Sequence, residues 1–183
     1  MEIKLKKPES IADWLHLYRL YMSAFPKEER KPFALICRMY KKGTTDIWCL
    51  MQEGKFAGLG ITINGPELIL LDYFAIEKKK RQQGVGSAAL PVLMDYYGDK
   101  GFFLEIESTL EEADNKEQRL RRKAFYLSCG LRELGATACL FGVNMELLGV
   151  RCALDYDRYK TFYREYYNQW AADHITPTKE RTA

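Results

Sequence analysis

The sequence predicts an α/β (α+β) fold: a mixed, mostly antiparallel central sheet with one βαβ crossover and helices on both faces. Three observations predict it. Apolar strand-like runs fall in two groups separated by turn residues, helical periodicities flank both groups, and the strand–helix–strand succession over residues 68–107 reads as a βαβ crossover. That one succession demands a parallel return, while the short connections elsewhere favour antiparallel neighbours.

The elements follow in order. Ile11, Trp14, Leu15, Tyr18 and Met22 recur at helical spacing after Pro8-Glu9-Ser10, so residues 9–24 read as an amphipathic first helix carrying that stripe. A second short helix runs from Phe33 to Tyr40. Strands follow at 46–52 and 56–63, joined by the turn Glu53-Gly54-Lys55, and Asn64-Gly65-Pro66 leads into a third strand, 68–76. These three read as an antiparallel meander. Residues 84–97 are helical, and residues 102–107 form the returning strand. A polar stretch over 108–117 precedes a helix ending at Ser128-Cys129-Gly130, where glycine suits the left-handed position after a helix. Short strands are expected at 131–135, 137–141 and 144–150, then a last helix over 155–170. A single domain over residues 1–170 with a poorly ordered tail from 171 to 183 is the expected organisation.

Composition excludes several function classes. A net charge of +3, from 28 basic against 25 acidic residues, is too balanced to argue for nucleic acid. No apolar run approaches the roughly 18 residues of a membrane span, and the first residues lack the apolar core of a signal peptide, so a cytoplasmic protein is the expectation. The five cysteines are odd in number and widely spaced, which fits buried thiols in a reducing compartment. His16 and His174 stand near opposite ends, so no metal site is expected.

The chemistry concentrates where the strand ending at Ile76 runs through Glu77-Lys78-Lys79-Lys80-Arg81-Gln82-Gln83 into Gly84-Val85-Gly86-Ser87 and a helix. Such a junction turns backbone N–H groups and a helix N-terminus toward an anion. A nucleoside-triphosphate loop fails, because no lysine follows the second glycine. A dinucleotide fingerprint matches on spacing, with Glu105 about 20 residues on, but its first glycine should turn straight off the strand and several βαβ units should follow.

Arg81-Gln82-Gln83-Gly84-Val85-Gly86 resembles the acetyl-CoA signature of the GCN5-related N-acetyltransferase (GNAT) superfamily. Leu104-Glu105-Ile106-Glu107 as the next strand and Phe125-Tyr126-Leu127-Ser128-Cys129-Gly130-Leu131 after the next helix extend the likeness over about residues 44–142. The resemblance implies a GNAT-like fold and an acetyl-CoA-dependent N-acetyltransferase that moves an acetyl group directly to a primary amine of an unidentified acceptor. The rival is a non-catalytic acyl-CoA-binding or protein-interaction module on the same fold.

The resemblance also assigns roles. Gln82, Gln83, Gly84, Val85, Gly86 and Ser87 would hold the CoA pyrophosphate with Arg81, and backbone groups over Phe74, Ala75 and Ile76 would pair with pantetheine and polarise the thioester carbonyl. Tyr126 would protonate the departing thiolate. A carboxylate is wanted to deprotonate the acceptor ammonium. Glu105 and Glu107 share one strand face, and Glu28 and Glu29 occupy the loop between the first helices where relatives bind acceptors; both pairs stay open. One departure stands out: many relatives carry asparagine seven residues before the tyrosine, and here that residue is Arg119.

Tyr156, Tyr159, Phe162, Tyr163, Tyr166, Tyr167 and Trp170 recur at helical spacing near the C-terminus. Core packing is the first reading of this stripe and a homodimer surface the second.

Overall fold

The computed structural model describes residues 1–178. They divide into two compact units, residues 1–64 with 71–98, and residues 65–70 with those from 99 onward.

The first unit begins with strand β1 (Ile3–Lys6), an alternation of apolar and lysine residues that pairs antiparallel with β2 (Thr45–Gln52). Between them lie helices α1 (Ile11–Ala24) and α2 (Phe33–Lys41). Strand β3 (Lys55–Asn64) pairs antiparallel with β2 through a hairpin in which Glu53 and Gly54 both have positive φ, 50° and 76°, as a tight twisted turn requires. The last part of β4 (Leu68–Ile76) and helix α3 (Val85–Tyr96) complete the unit. Gly58 on β3 is forced by proximity: a Cβ there would lie 2.5 Å from the carbonyl oxygen of Ala75.

Helix α1 starts with a capping box. Ser10 Oγ accepts from Asp13 N at 3.1 Å, and Asp13 Oδ2 accepts from Ser10 N at 2.9 Å. Lys6 Nζ meets the same oxygen at 2.9 Å and, with these backbone N–H groups, holds the Asp13 carboxyl far below the usual carboxylate range. The helix buries Leu17, Leu20 and Tyr21, which pack with Ile36, Ile47, Leu59, Ile61 and Tyr73. Of the stripe expected to be its apolar face, Ile11, Leu15, Tyr18 and Met22 stand exposed, Ile11 at 81%. The reason is composition. Most side chains of this helix are apolar, so periodicity could not choose the face, and the ring contacts of Tyr21 with Phe25, Phe33 and Tyr73 do.

The second unit holds the start of β4, strand β5 (Gly101–Glu107), helix α4 (Lys116–Ser128), and strands β6 (Arg132–Leu140) and β7 (Val143–Val150). β4 and β5 run parallel, from Leu68 opposite Gly101 to Leu70 opposite Phe103. β5 pairs antiparallel with β7, and β7 with β6. Residues 131–135 and 137–141, expected as two strands, form one: the register shifts between Glu133 and Thr137, where Gly135 takes φ 73°, and the ladder continues past the irregularity.

The last helix expected over 155–170 is also corrected. It comprises α5 (Tyr156–Phe162), a π turn (Tyr163–Tyr167) and, after an extended Asn168 that caps the next helix, α6 (Gln169–Asp173). Strand β8 (Ile175–Thr176) then pairs with β6. The tail expected to be poorly ordered from Ala171 therefore forms secondary structure through Thr176, anchored by buried Ala171, Ala172 and Ile175. Its last residues, 179–183, lie outside the described residues. Tyr159, Phe162 and Tyr163 of the aromatic stripe are buried, whereas Trp170 is exposed.

Among the described residues the strands make an eight-stranded mixed sheet in the order β1-β2-β3-β4-β5-β7-β6-β8, in which β4 and β5 run parallel. This is the mostly antiparallel α/β architecture expected, its one crossover passing through α3.

Candidate active site

In the first unit, β4 ends at Ile76 and the chain makes a short 3-10 turn over Lys78–Lys80. Arg81 folds back so that its Nε–H donates to the Ile76 carbonyl at 2.9 Å, and its terminal guanidinium nitrogens have no partner among the described residues. Gln82 and Gly84 take positive φ, 60° and 76°. At Gly84 this left-handed conformation opens α3, which a side chain would strain. The first helical bond runs from Ala88 N to Gly84 O at 3.0 Å, so the N–H groups of Val85, Gly86 and Ser87 have no acceptor among the described residues. Gly84 and Ser87 are exposed and Val85 is buried. The result is a cationic strand-to-helix turn with unpaired donors at a helix N-terminus, the chemistry of an anion site.

Phe74, Ala75 and Ile76 lead into this turn, with Ala75 and Ile76 buried. Lys78 and Lys79 are exposed, and Lys79 Nζ lies 3.6 Å from Glu77.

Glu28 and Glu29 lie in the same unit on an exposed 3-10 turn between α1 and α2. That loop is fastened to β4. Tyr73 donates its hydroxyl to the Glu29 carbonyl at 2.9 Å and accepts from Lys31 N at 3.2 Å, while Lys31 forms an ion pair with Asp72.

Glu105, Glu107 and Tyr126 belong to the second unit. Glu105 is half-buried on β5, and its Oε1 accepts two phenolic hydrogen bonds, from Tyr159 at 2.8 Å and Tyr163 at 2.6 Å. Glu107 has different company. Arg119 Nη2 meets its Oε1 at 2.8 Å, Asn115 Nδ2 donates to Oε2 at 3.4 Å, and Arg122 Nη1 lies 3.9 Å from Oε2. Arg119 also donates to Asn115 Oδ1 at 2.7 Å and to the Ser108 carbonyl at 3.0 Å. Arg119 is thus consumed in tying α4 and the preceding loop to β5.

Tyr126 lies half-buried on α4, its ring 5.1 Å from that of Phe125. Desolvation pushes the phenol above its ordinary pKa and Arg122 partly offsets this, so at neutral pH the group holds its proton.

Sequence reasoning missed the tyrosines that grip Glu105, although their spacing of four residues on a helix was a visible signal. It also missed Glu146 on β7. This buried carboxylate forms an ion pair with Lys123 and accepts from Thr109 Oγ1 at 2.7 Å. Burial alone would raise its pKa, but Lys123 and Thr109 outweigh burial and lower it. No three His, Cys, Asp or Glu side chains converge on a metal-sized site among the described residues, and no described helix is long and apolar enough to cross a membrane.

A family model of the GNAT acetyltransferases matches residues 14–130. The chain belongs to the GNAT family. The matched span includes the strand-to-helix turn, β5 and Tyr126.

Solved GNAT structures share the fold. A Bacteroides thetaiotaomicron protein assigned to the family is 18% identical with a TM-score of 0.69, covering 91% of this chain and 98% of its own. The Escherichia coli ribosomal-protein-S18-alanine N-acetyltransferase is 21% identical with a TM-score of 0.61, covering 84% and 96%. An aminoglycoside 6′-N-acetyltransferase in complex with coenzyme A is 14% identical with a TM-score of 0.63, covering 82% and 96%. No curated protein matches this GNAT sequence.

Proposed function

We propose that this GNAT protein transfers an acetyl group from acetyl-CoA to a primary amine. The observation that carries the reading is the turn at Arg81 to Ser87, where Gly84 is left-handed and the N–H groups of Val85, Gly86 and Ser87 and the end of Arg81 have no partner among the described residues. These residues fit a pyrophosphate, and the coenzyme A complex of a structural neighbour supports CoA as its source.

Acetyl-CoA, when bound, supplies an activated thioester acyl group. The Val85, Gly86 and Ser87 N–H groups and Arg81 bind its phosphates, and the backbone over Phe74 to Ile76 orients the chain that bears the thioester. Glu105 takes a proton from the acceptor ammonium, directly or through one water, leaving a neutral amine to attack the acetyl carbon. As the C–S bond breaks, Tyr126 gives its phenolic proton to sulfur, and the second amine proton restores the tyrosine. Glu105 is preferred over Glu107 because arginine already neutralises the latter. Exposed Glu28 and Glu29 suit attraction of a cationic acceptor.

The test is a thermal-shift and transfer assay. Acetyl-CoA at millimolar concentration is expected to raise the melting temperature and NAD to leave it unchanged. Mass spectrometry should then find an acetylated product in a panel holding an alanine-initiated peptide, an aminoglycoside and a polyamine, the first two chosen from the neighbours' substrates. No thermal effect of acetyl-CoA overturns the reading; a thermal effect without transfer to any amine favours the non-catalytic acyl-CoA-binding module.

A further inference from the structure

We propose that Tyr159 and Tyr163 are positioning residues that hold the Glu105 carboxylate ionised and in one orientation; the inference rests on the reading of Glu105 as the base. Both phenols are buried, at 0% and 2% exposure, where phenylalanine would fill the same space with no hydroxyl to desolvate. A buried hydroxyl needs a partner, and these two donate to the same oxygen. Two donors on Oε1 stabilise the charged form over the protonated one and fix the rotation of the carboxyl group.

The backbone is built to bring them there. Tyr159 sits in α5 and Tyr163 opens the π turn, four residues on, with their rings 5.1 Å apart. The widened turn also stacks Tyr163 on Tyr167, at 4.7 Å and 21°, which braces the second donor. π turns inside helices occur frequently at functional sites. On the strand side, Phe103 packs edge-on against Tyr159 at 6.4 Å, and Leu147 lies opposite Glu105 on β7. Along the same face of β5, Glu107 pairs with Arg119 and Arg122, a cluster left with one excess positive charge, which favours the ionised form of Glu105 in the same direction as the two phenols.

The experiment is carbon-13 NMR of the full chain labelled at glutamate carboxyls, with Glu105 assigned by the signal missing in Glu105→Gln. Tyr159→Phe and Tyr163→Phe are each expected to move its titration midpoint upward, and the double variant by about one pH unit. Transfer to an alanine-initiated tripeptide, or to the amine from the panel above that is acetylated fastest, should show kcat lowered about tenfold with KM for acetyl-CoA unchanged. An unmoved midpoint in the double variant overturns the proposal whatever the kinetics. Wild-type transfer by Glu105→Gln overturns the reading of Glu105 as base and the positioning role with it. Loss of transfer in Glu105→Gln beside wild-type kcat in the double variant overturns positioning alone. If the double variant fails to fold, 3-fluorotyrosine at position 163, a stronger donor, should lower the midpoint, and no movement there is equally decisive against the proposal.

Discussion

The strand-to-helix turn after β4 and the face of β5 solve opposite problems with opposite means. At the turn, the groups that would meet an anion are backbone N–H groups, and their availability follows from Gly84 adopting φ 76° and from the first helical turn having no internal acceptors. On β5 the candidate groups are carboxylates, and the surroundings of each are set by side chains 12 to 58 positions away: Arg119 for Glu107, Tyr159 and Tyr163 for Glu105. A backbone site is written in a few consecutive residues. A carboxylate site is written across the chain, and identical residues two positions apart acquire different chemistry.

The sharpest attempt to break this contrast is Lys123→Met in the second unit. It strands the Glu146 carboxylate in a buried site, and calorimetry or denaturant unfolding should show a loss of about 3–5 kcal/mol. The pH dependence carries a sign. Because the folded pKa of Glu146 is depressed, its contribution is present above the ordinary carboxylate value and is lost as pH falls through the folded value. Lys123 is raised, so its share persists at neutral pH and is lost only on alkaline titration through its folded pKa. A variant as stable as wild type would mean that side-chain pairing does not organise this unit.

Tyr126→Phe comes next. Removing the proposed general acid is expected to lower kcat about a hundredfold while KM for acetyl-CoA holds, and equal turnover would remove Tyr126 from the chemistry. Gly84→Val should weaken acetyl-CoA about tenfold by calorimetric titration, since a β-branched residue in the left-handed region costs about 1–2 kcal/mol and tilts the N–H groups away. Retained affinity would show that the turn does not depend on that conformation. The smallest effect is a control in the first unit: Ser10→Ala should cost about 1 kcal/mol of stability by removing the α1 cap, with acetyl-CoA affinity as in wild type.

The same contrast explains what could be read from the amino-acid order. The β2–β3 hairpin, the β4 to β5 crossover and the Gly84 turn rest on local signals of turn residues, period and glycine, and they stand where expected. Helix α1 misleads because apolar residues surround it, so the buried face was chosen by the Tyr21 ring contacts with Phe33 and Tyr73 rather than by period. Strand β6 hides its continuity behind the irregularity at Gly135, and β8 is too short to carry a pattern. Arg119 was conspicuous as a departure from its relatives, but its salt bridge with Glu107 became visible only in three dimensions.

The most direct test of the central claim is amide NMR of the uniformly labelled chain titrated with acetyl-CoA and, separately, with NAD. The N–H resonances of Val85, Gly86 and Ser87 are expected to shift downfield with saturation by acetyl-CoA and to stay in place with NAD. Saturable acetyl-CoA binding that leaves those three resonances unmoved would contradict that claim.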